Sequence, residues 1–379
     1  MKVYADYAAT TNVAPEVVSE ITEVLSDHFG NASSIHHIGR DGRRILDLAR
    51  MKIAKIMNAS PREIIFTSGA TESNNLAIKG IAYQNQHKGK HLITSSIEHH
   101  SVLHVFEQLE KEGYEVTYLP VDAQGFVTVD KLKDALREDT ILVSIMFGNN
   151  EVGTVQSVDE IAELLKEHQA IFHTDGVQTI GHMPIDLKSL NVDLFTLTAH
   201  KFYGPKGVGL LYVKDKTPLQ FQQLGGAQET KRRAGTENTA YISGMAKALE
   251  IATDNIEQSS LKLIQLKQHF INALQSYDIP FELNGDINAS LPHITNLYFP
   301  FSDVEKMLTI LDMNGVYVSS GSACTAGSIE PSHVLTAMFG EHPRTKQSIR
   351  FSFSHQMIEE DIDYIALQIK KIYEMNRNE

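Results

Sequence analysis

The chain has 379 residues, 42% of them hydrophobic and 21% charged, enough for two domains around a sizeable core and the balance of a globular protein. A formal net charge of −13 without a long basic run repels phosphate backbones and argues against direct nucleic-acid binding. The N-terminal MKVYADYAAT lacks the apolar run of a signal peptide, no stretch approaches the roughly 18 apolar residues of a membrane span, and one cysteine allows no intrachain disulfide, so a cytoplasmic protein is expected.

In chain order, EIIFTSG (63–69) reads as a strand running into a glycine, and ATESNNLAIKGIAYQNQ as the helix after it. HLITSSIEH is the next strand and SVLHVFEQLEKEG the next helix. YEVTYLPVD, TILVSIMFG, QAIFHTDGV and VDLFTLTAH are further strands, with the helix-like VDEIAELLKEH between the second and third of these four. Strands joined by helical crossovers predict a mainly parallel sheet covered on both faces, an α/β fold. The turn GPKG and the run VGLLYV then predict a closely following strand. Near residue 256 the pattern changes. A long amphipathic helix (SSLKLIQLKQHFINALQSY) leads to short strands (ITNLYF, SIRFSFS) and a last helix (EEDIDYIALQIKKIYEM). The expected division is a large α/β domain over 13–256 and a small α+β domain made of 1–12 and 257–379.

Lys201 follows the apolar strand in TLTAHKFYGPKG. A lysine that holds a cofactor needs a rigid element and a cleft, and strand ends in α/β sheets supply both. A lone lysine at a strand end is otherwise merely exposed. Lys206, between Pro205 and Gly207 in a turn, is the rival and suits an exposed structural role. Asp175 closes the strand IFHTD, where a carboxylate needs a partner. It either pairs with a protonated pyridine nitrogen or caps a helix. Lys201 at the end of the next apolar strand places both groups at one sheet edge and favours the first. TSGATESNN (67–75) is a strand-to-helix junction whose small residues let backbone N–H groups approach a phosphate. In EHHSVLH (98–104), His100 and His104 have the spacing of a metal pair. No third ligand is evident, so no metal is expected; His99 is better placed to stack on a flat cofactor.

Cys324, the only cysteine, lies in SSGSACTAGS (319–328), whose Ser and Gly predict a mobile loop. A thiol there is no core filler and suggests reactivity. Arg350 in SIRFSFS is either an edge-strand charge or a clamp on a carboxylate. AQETKRRAGTEN (227–238) is either a solvated loop or, through Thr236 and its basic residues, a phosphate contact across a dimer interface.

Together, VYADYAATT, FGNASSIH, TSGATESNN, EHHSV, NNEVG, TDGVQ, TAHKFYGPKG, RRAGTEN, SSGSAC and IRFSFS resemble, in order and over nearly the whole chain, the cysteine desulfurases of the NifS/IscS type. These belong to the class-V aminotransferase family of fold-type I pyridoxal 5'-phosphate (PLP) enzymes. The resemblance implies a homodimer that converts L-cysteine to L-alanine. It implies Lys201 as the covalent anchor of PLP, Asp175 on its pyridine nitrogen, Gln178 on its phenolic oxygen, and His99 stacked on the ring and assisting proton transfer. Ala70, Thr71, Thr198 and His200 would hold the phosphate with Thr236 of the other subunit. Asn150 and Arg350 would bind the substrate. Cys324, on an extended loop as in the first of the family's two groups, would receive the sulfur as a persulfide. It would hand it to a protein acceptor such as an iron–sulfur scaffold or a tRNA-thiolating enzyme. Gly176 stands where relatives often have alanine, which predicts looser packing against the ring, and Thr198 stands for a common serine. A selenocysteine lyase, another aminotransferase or a non-catalytic scaffold would share the frame.

Overall fold

The computed structural model describes residues 1–320 and 331–378. Strand β1 (Val3–Tyr4) opens the chain. Seven strands then form one sheet: β2 (Ile64–Thr67), β3 (His91–Ser95), β4 (Glu115–Leu119), β5 (Thr140–Ser144), β6 (Ile171–Asp175), β7 (Leu194–Thr198) and β8 (Gly209–Val213). Their order is β2-β8-β7-β6-β5-β3-β4. All neighbouring pairs are parallel except those of β8, which runs antiparallel to both β7 and β2. A single reversed strand follows from the short GPKG turn, which leaves no room for a crossover helix. The expected mainly parallel α/β sheet is therefore present.

Every residue of β2, β3, β5, β7 and β8 is buried, so these strands lack the alternation of buried and exposed positions seen in a sheet with one solvated face. The helices Ala70–Asn85 and His100–Lys111 cover one face through Leu76, Ile78, Ile81, Val102 and Phe106. The other face is covered by Val158–Leu165 and by three helices outside the predicted elements: Pro15–Asp27, His37–Ile56 and Thr239–Asp254. In His37–Ile56 Leu46, Ala49, Ile53 and Ala54 carry the apolar stripe into this core among many charges. The predicted strand 114–122 stops at Leu119, before Pro120.

A second core lies apart from the first. Strands β9 (Glu282–Asn284), β10 (Ile294–Tyr298) and β12 (Ser348–Ser352) form an antiparallel sheet in the order β12-β10-β9, and β11 (Val316–Tyr317) pairs in parallel with β1. Helices Ile256–Ser276, Val304–Met313 and Glu359–Asn378 pack on them around Phe270, Phe299, Phe351 and Ile365. The N-terminal segment joins both bodies: Asp6 bridges to Ser352, and the Ala14 and Thr11 amides bond to Tyr203 and His200 carbonyls.

Parallel strands bring their carboxyl ends to one edge. Thr67, Ser95, Ser144, Asp175 and Thr198 all end there, and the segments that follow them enclose a cavity of about 690 Å³.

Candidate active site

Ala70, Thr71, His99, Asn150, Asp175, Gln178, Thr198, His200, Lys201 and Arg350 line this one cavity. Thr236 is exposed and is not among its lining residues. Cys324 lies outside the described residues.

Lys201 ends the turn Ala199–Lys201 just beyond β7. Its Nζ donates to the carbonyl oxygens of Ala8 (2.5 Å) and Ala9 (2.9 Å). Burial and then the Arg350 charge lower its pKa to about 8, against the opposing pull of Asp6 and Asp175. The rival Lys206 is exposed at the rim.

Asp175 ends β6 and is 5% exposed. Its Oδ2 accepts from Asn74 Nδ2 at 2.8 Å and its Oδ1 from the Val177 amide at 3.0 Å. Both donors are neutral, and among the described residues no cation stands within salt-bridge distance of it. A buried carboxylate without a cation is a costly arrangement that a protonated ring nitrogen would relieve.

Asn74 extends this contact outward by donating to Ser101 Oγ at 2.9 Å, and Ser101 Oγ lies 2.8 Å from His99 Nδ1. His99 caps the helix His100–Lys111, its Nδ1 accepting the Ser101 amide. The hydrogen of its neutral ring is therefore on Nε2. Enclosure by the cavity walls lowers its pKa, Asp175 opposes this, and Lys201 reinforces it. The rings of His100 and His104 stack with centroids 5.0 Å apart. His333 Nε2 donates to the Glu98 carbonyl.

The helix Ala70–Asn85 points its N-terminus into the cavity. Gly69 caps it at φ +153° and offers no side chain to its first amides. Gly209, opposite both Thr67 and Thr198, makes this junction possible. A Cβ there would lie 2.7 Å from Gly69 Cα. Uncapped amides at the positive end of a helix dipole form an anion site. The acid of this turn, Glu72, is neutralised by Arg233, whose Nε and Nη2 donate at 2.7 and 3.0 Å. The Thr198 hydroxyl donates to the Val208 carbonyl at 3.1 Å, and His200 Nδ1 meets Thr10 Oγ1 at 3.2 Å.

Arg350 is 4% exposed. Its Nη2 pairs with Asp6 at 2.7 Å, its Nη1 donates to the Asn150 carbonyl at 2.8 Å, and its Nε has no partner. Its backbone exchanges hydrogen bonds with Ser319. Beside it Glu151 is fully buried; burial raises its carboxyl pKa to about 7, and it accepts from Ser332 Oγ at 2.5 Å.

Gly176 departs from the expectation of looser ring packing. A methyl there would lie 1.9 Å from Phe195 Cζ, so the space is already filled by a side chain of the sheet. Gly176→Ala is expected to cost about 1–3 kcal/mol by overpacking. Calorimetry should find the double variant with Phe195→Leu less destabilised than the sum of the two singles.

The residues present suit PLP at both ends: a helix N-terminus for the phosphate and a carboxylate lacking a cation for the ring nitrogen, with a lysine amine between them.

Comparison with known proteins agrees with this chemistry. The aminotransferase class-V family model matches residues 3–365. The chain is 51% identical over 353 residues to a putative cysteine desulfurase IscS 1 of Bacillus subtilis, covering 93% of each chain. It is 47% identical over 378 residues to the cysteine desulfurase IscS of Clostridium botulinum, covering 99% of this chain and 95% of the other. Among solved structures, a NifS-like protein superposes with a TM-score of 0.93 at 35% identity, covering 99% of this chain and 100% of that one. SspA in complex with cysteine gives 0.83 at 36% identity, covering 94% and 100%.

Proposed function

We propose the following division of labour from the premise that this chain belongs to the class-V aminotransferase family and, within it, is a PLP-dependent cysteine desulfurase that converts L-cysteine to L-alanine. The observation that carries the site assignment is the meeting, in one cavity, of a lysine amine with a lowered pKa, a buried carboxylate without a cation and an uncapped helix N-terminus.

PLP, when bound, supplies an electron sink for the bond electrons released at the substrate α-carbon. Lys201 Nζ would be its covalent anchor, and with substrate bound Nζ would accept and return the α-proton, a task suited to a pKa near neutrality. Asp175 would keep the ring nitrogen protonated, with Asn74 and the Val177 amide holding the carboxylate in place. The amides of Ala70 and Thr71 would hold the phosphate, joined by Thr198 and His200. His99 would cover the ring and move a proton at Nε2. Arg350 and Asn150 orient the substrate carboxylate. Cys324, as thiolate, takes the sulfur atom. The substrate C–S bond breaks and an S–S bond forms, the thiol hydrogen of cysteine is replaced by a hydrogen on carbon, and alanine leaves.

The persulfide then passes to a protein acceptor, an iron–sulfur scaffold or a tRNA-thiolating enzyme. The active form is a homodimer in the cytoplasm. Two features support the dimer: Thr236 lies exposed, off the cavity of its own chain, and Phe29, Ile35 and Leu224 are apolar and 71%, 91% and 88% exposed. Among the described residues no helix is long and apolar enough to cross a membrane. The domain division at 12/13 and 256/257 is supported by the two separate cores, although Val334, Leu335 and Met338 of the C-terminal part pack in the core of the large sheet.

The test is direct. The holoenzyme is treated with cysteine, alkylated and weighed. One added sulfur is expected on Cys324, and none in Cys324→Ala, which also stops forming alanine. Alanine produced at an unchanged rate without the adduct would overturn the assignment.

A further inference from the structure

Gln178 presents to the cavity an amide whose two ends differ chemically. Its Nε2 donates to the Ala8 carbonyl at 2.9 Å, the oxygen that also receives Lys201 Nζ. Its Oε1 lies 3.2 Å from Nε2 of His293. An amide oxygen only accepts, so this contact is a hydrogen bond only if His293 carries its hydrogen on Nε2. The rest of the pocket agrees. His293 is 1% exposed, its Nδ1 has no partner, and the ring of His182 stacks on it at 3.6 Å and 14°. A hydrogen on Nδ1 would be a buried donor without an acceptor and would leave two acceptors facing each other at Gln178. Burial, and then His182, Lys267, Arg350 and Lys201, hold the pKa of this ring well below its ordinary value, so it stays neutral. Among the described residues the groups that bear on it are cationic or histidine, and none favours a proton on both nitrogens.

We infer that His293 is a positioning residue of the reaction: by donating from Nε2 to Gln178 Oε1 it fixes which end of the Gln178 amide faces the cavity, so that an N–H rather than a carbonyl is offered to the phenolic oxygen of PLP. The inference rests on the assignment of Gln178 given above. Nε2 of Gln178 has two hydrogens, and Ala8 uses one. A donor to an anionic oxygen stabilises the anion, so removing it raises the pH at which the bound cofactor gains its proton.

The pH midpoint of the visible absorption band of the holoenzyme reads this without reference to turnover. Gln178→Met is expected to raise the midpoint by about one unit. His293→Leu should raise it comparably, the double variant should show no further rise, and His293→Gln, which restores a donor, should return it toward the parent value. A midpoint that moves in Gln178→Met but not in His293→Leu overturns the role of His293 alone. One that does not move in Gln178→Met overturns the assignment of Gln178 beneath it. Should the leucine variant not fold, histidine-labelled nitrogen NMR of the unaltered holoenzyme decides: a proton on Nε2 of His293 supports the inference, and one on Nδ1 overturns it.

Discussion

Replacing Lys201 by alanine is expected to abolish the visible band of the covalently held cofactor and to lower alanine formation on the order of 10²- to 10⁴-fold. PLP itself should remain bound, because the helix N-terminus at Ala70 and the carboxylate of Asp175 are untouched. Dialysis followed by release of the cofactor in acid measures this retention. Lys206→Ala should keep both band and activity, since that side chain is exposed at the rim. The lysine amine also predicts a pH course. Only its neutral form attacks an aldehyde. With a pKa lowered to about 8, about one amine in ten is neutral at pH 7, against roughly three in ten thousand for an ordinary lysine. The rate at which apoenzyme takes up PLP covalently should therefore rise about tenfold per pH unit below 8 and level off above it. A rise continuing to pH 10 would show that Lys201 is not depressed.

Asp175→Ala is the second large effect. The substitution removes the carboxylate that accepts from Asn74 and the Val177 amide and with it the proposed partner of the ring nitrogen. Loss of one aligned electrostatic contact of this kind costs about 10²- to 10³-fold in turnover. The loss should appear in kcat, with PLP still bound and KM for cysteine little changed, because Arg350 and Asn150 are independent of Asp175. Stopped-flow spectra with deuterated cysteine should show the α-proton step becoming rate-limiting. Unchanged turnover would reduce Asp175 to a cap on the Val177 amide.

Lys201 and Asp175 were legible in the sequence because one closely follows and the other closes a strand-like segment, and parallel strands deliver such ends to one edge. Thr71, His99 and Gln178 were legible as companions in short motifs. Other contributors leave no such trace. Ala8 and Ala9 act through backbone carbonyls, which any residue would supply. Asn74 and Ser101 sit in quoted motifs, but their bonds join residues 27 and 101 positions apart. His293 approaches Gln178 from 115 positions away. The helix His37–Ile56 was hidden because its charges outnumber its apolar stripe, and tertiary packing rather than local pattern holds it. Gly176 was read as a missing methyl on the cofactor side, whereas the methyl is missing on the side of Phe195.

The ion pair between Asp6 and Arg350 spans 344 positions of the chain. On a ribosome adding about 5–20 residues per second, the acid is made roughly 20–70 s before its base. During that interval the large sheet can fold and Lys201 can emerge, but Arg350, the proposed contact for the substrate carboxylate, is not yet made. On that assignment the proposed cofactor residues are in place before the proposed amino-acid contact, and the order of synthesis becomes an order of assembly.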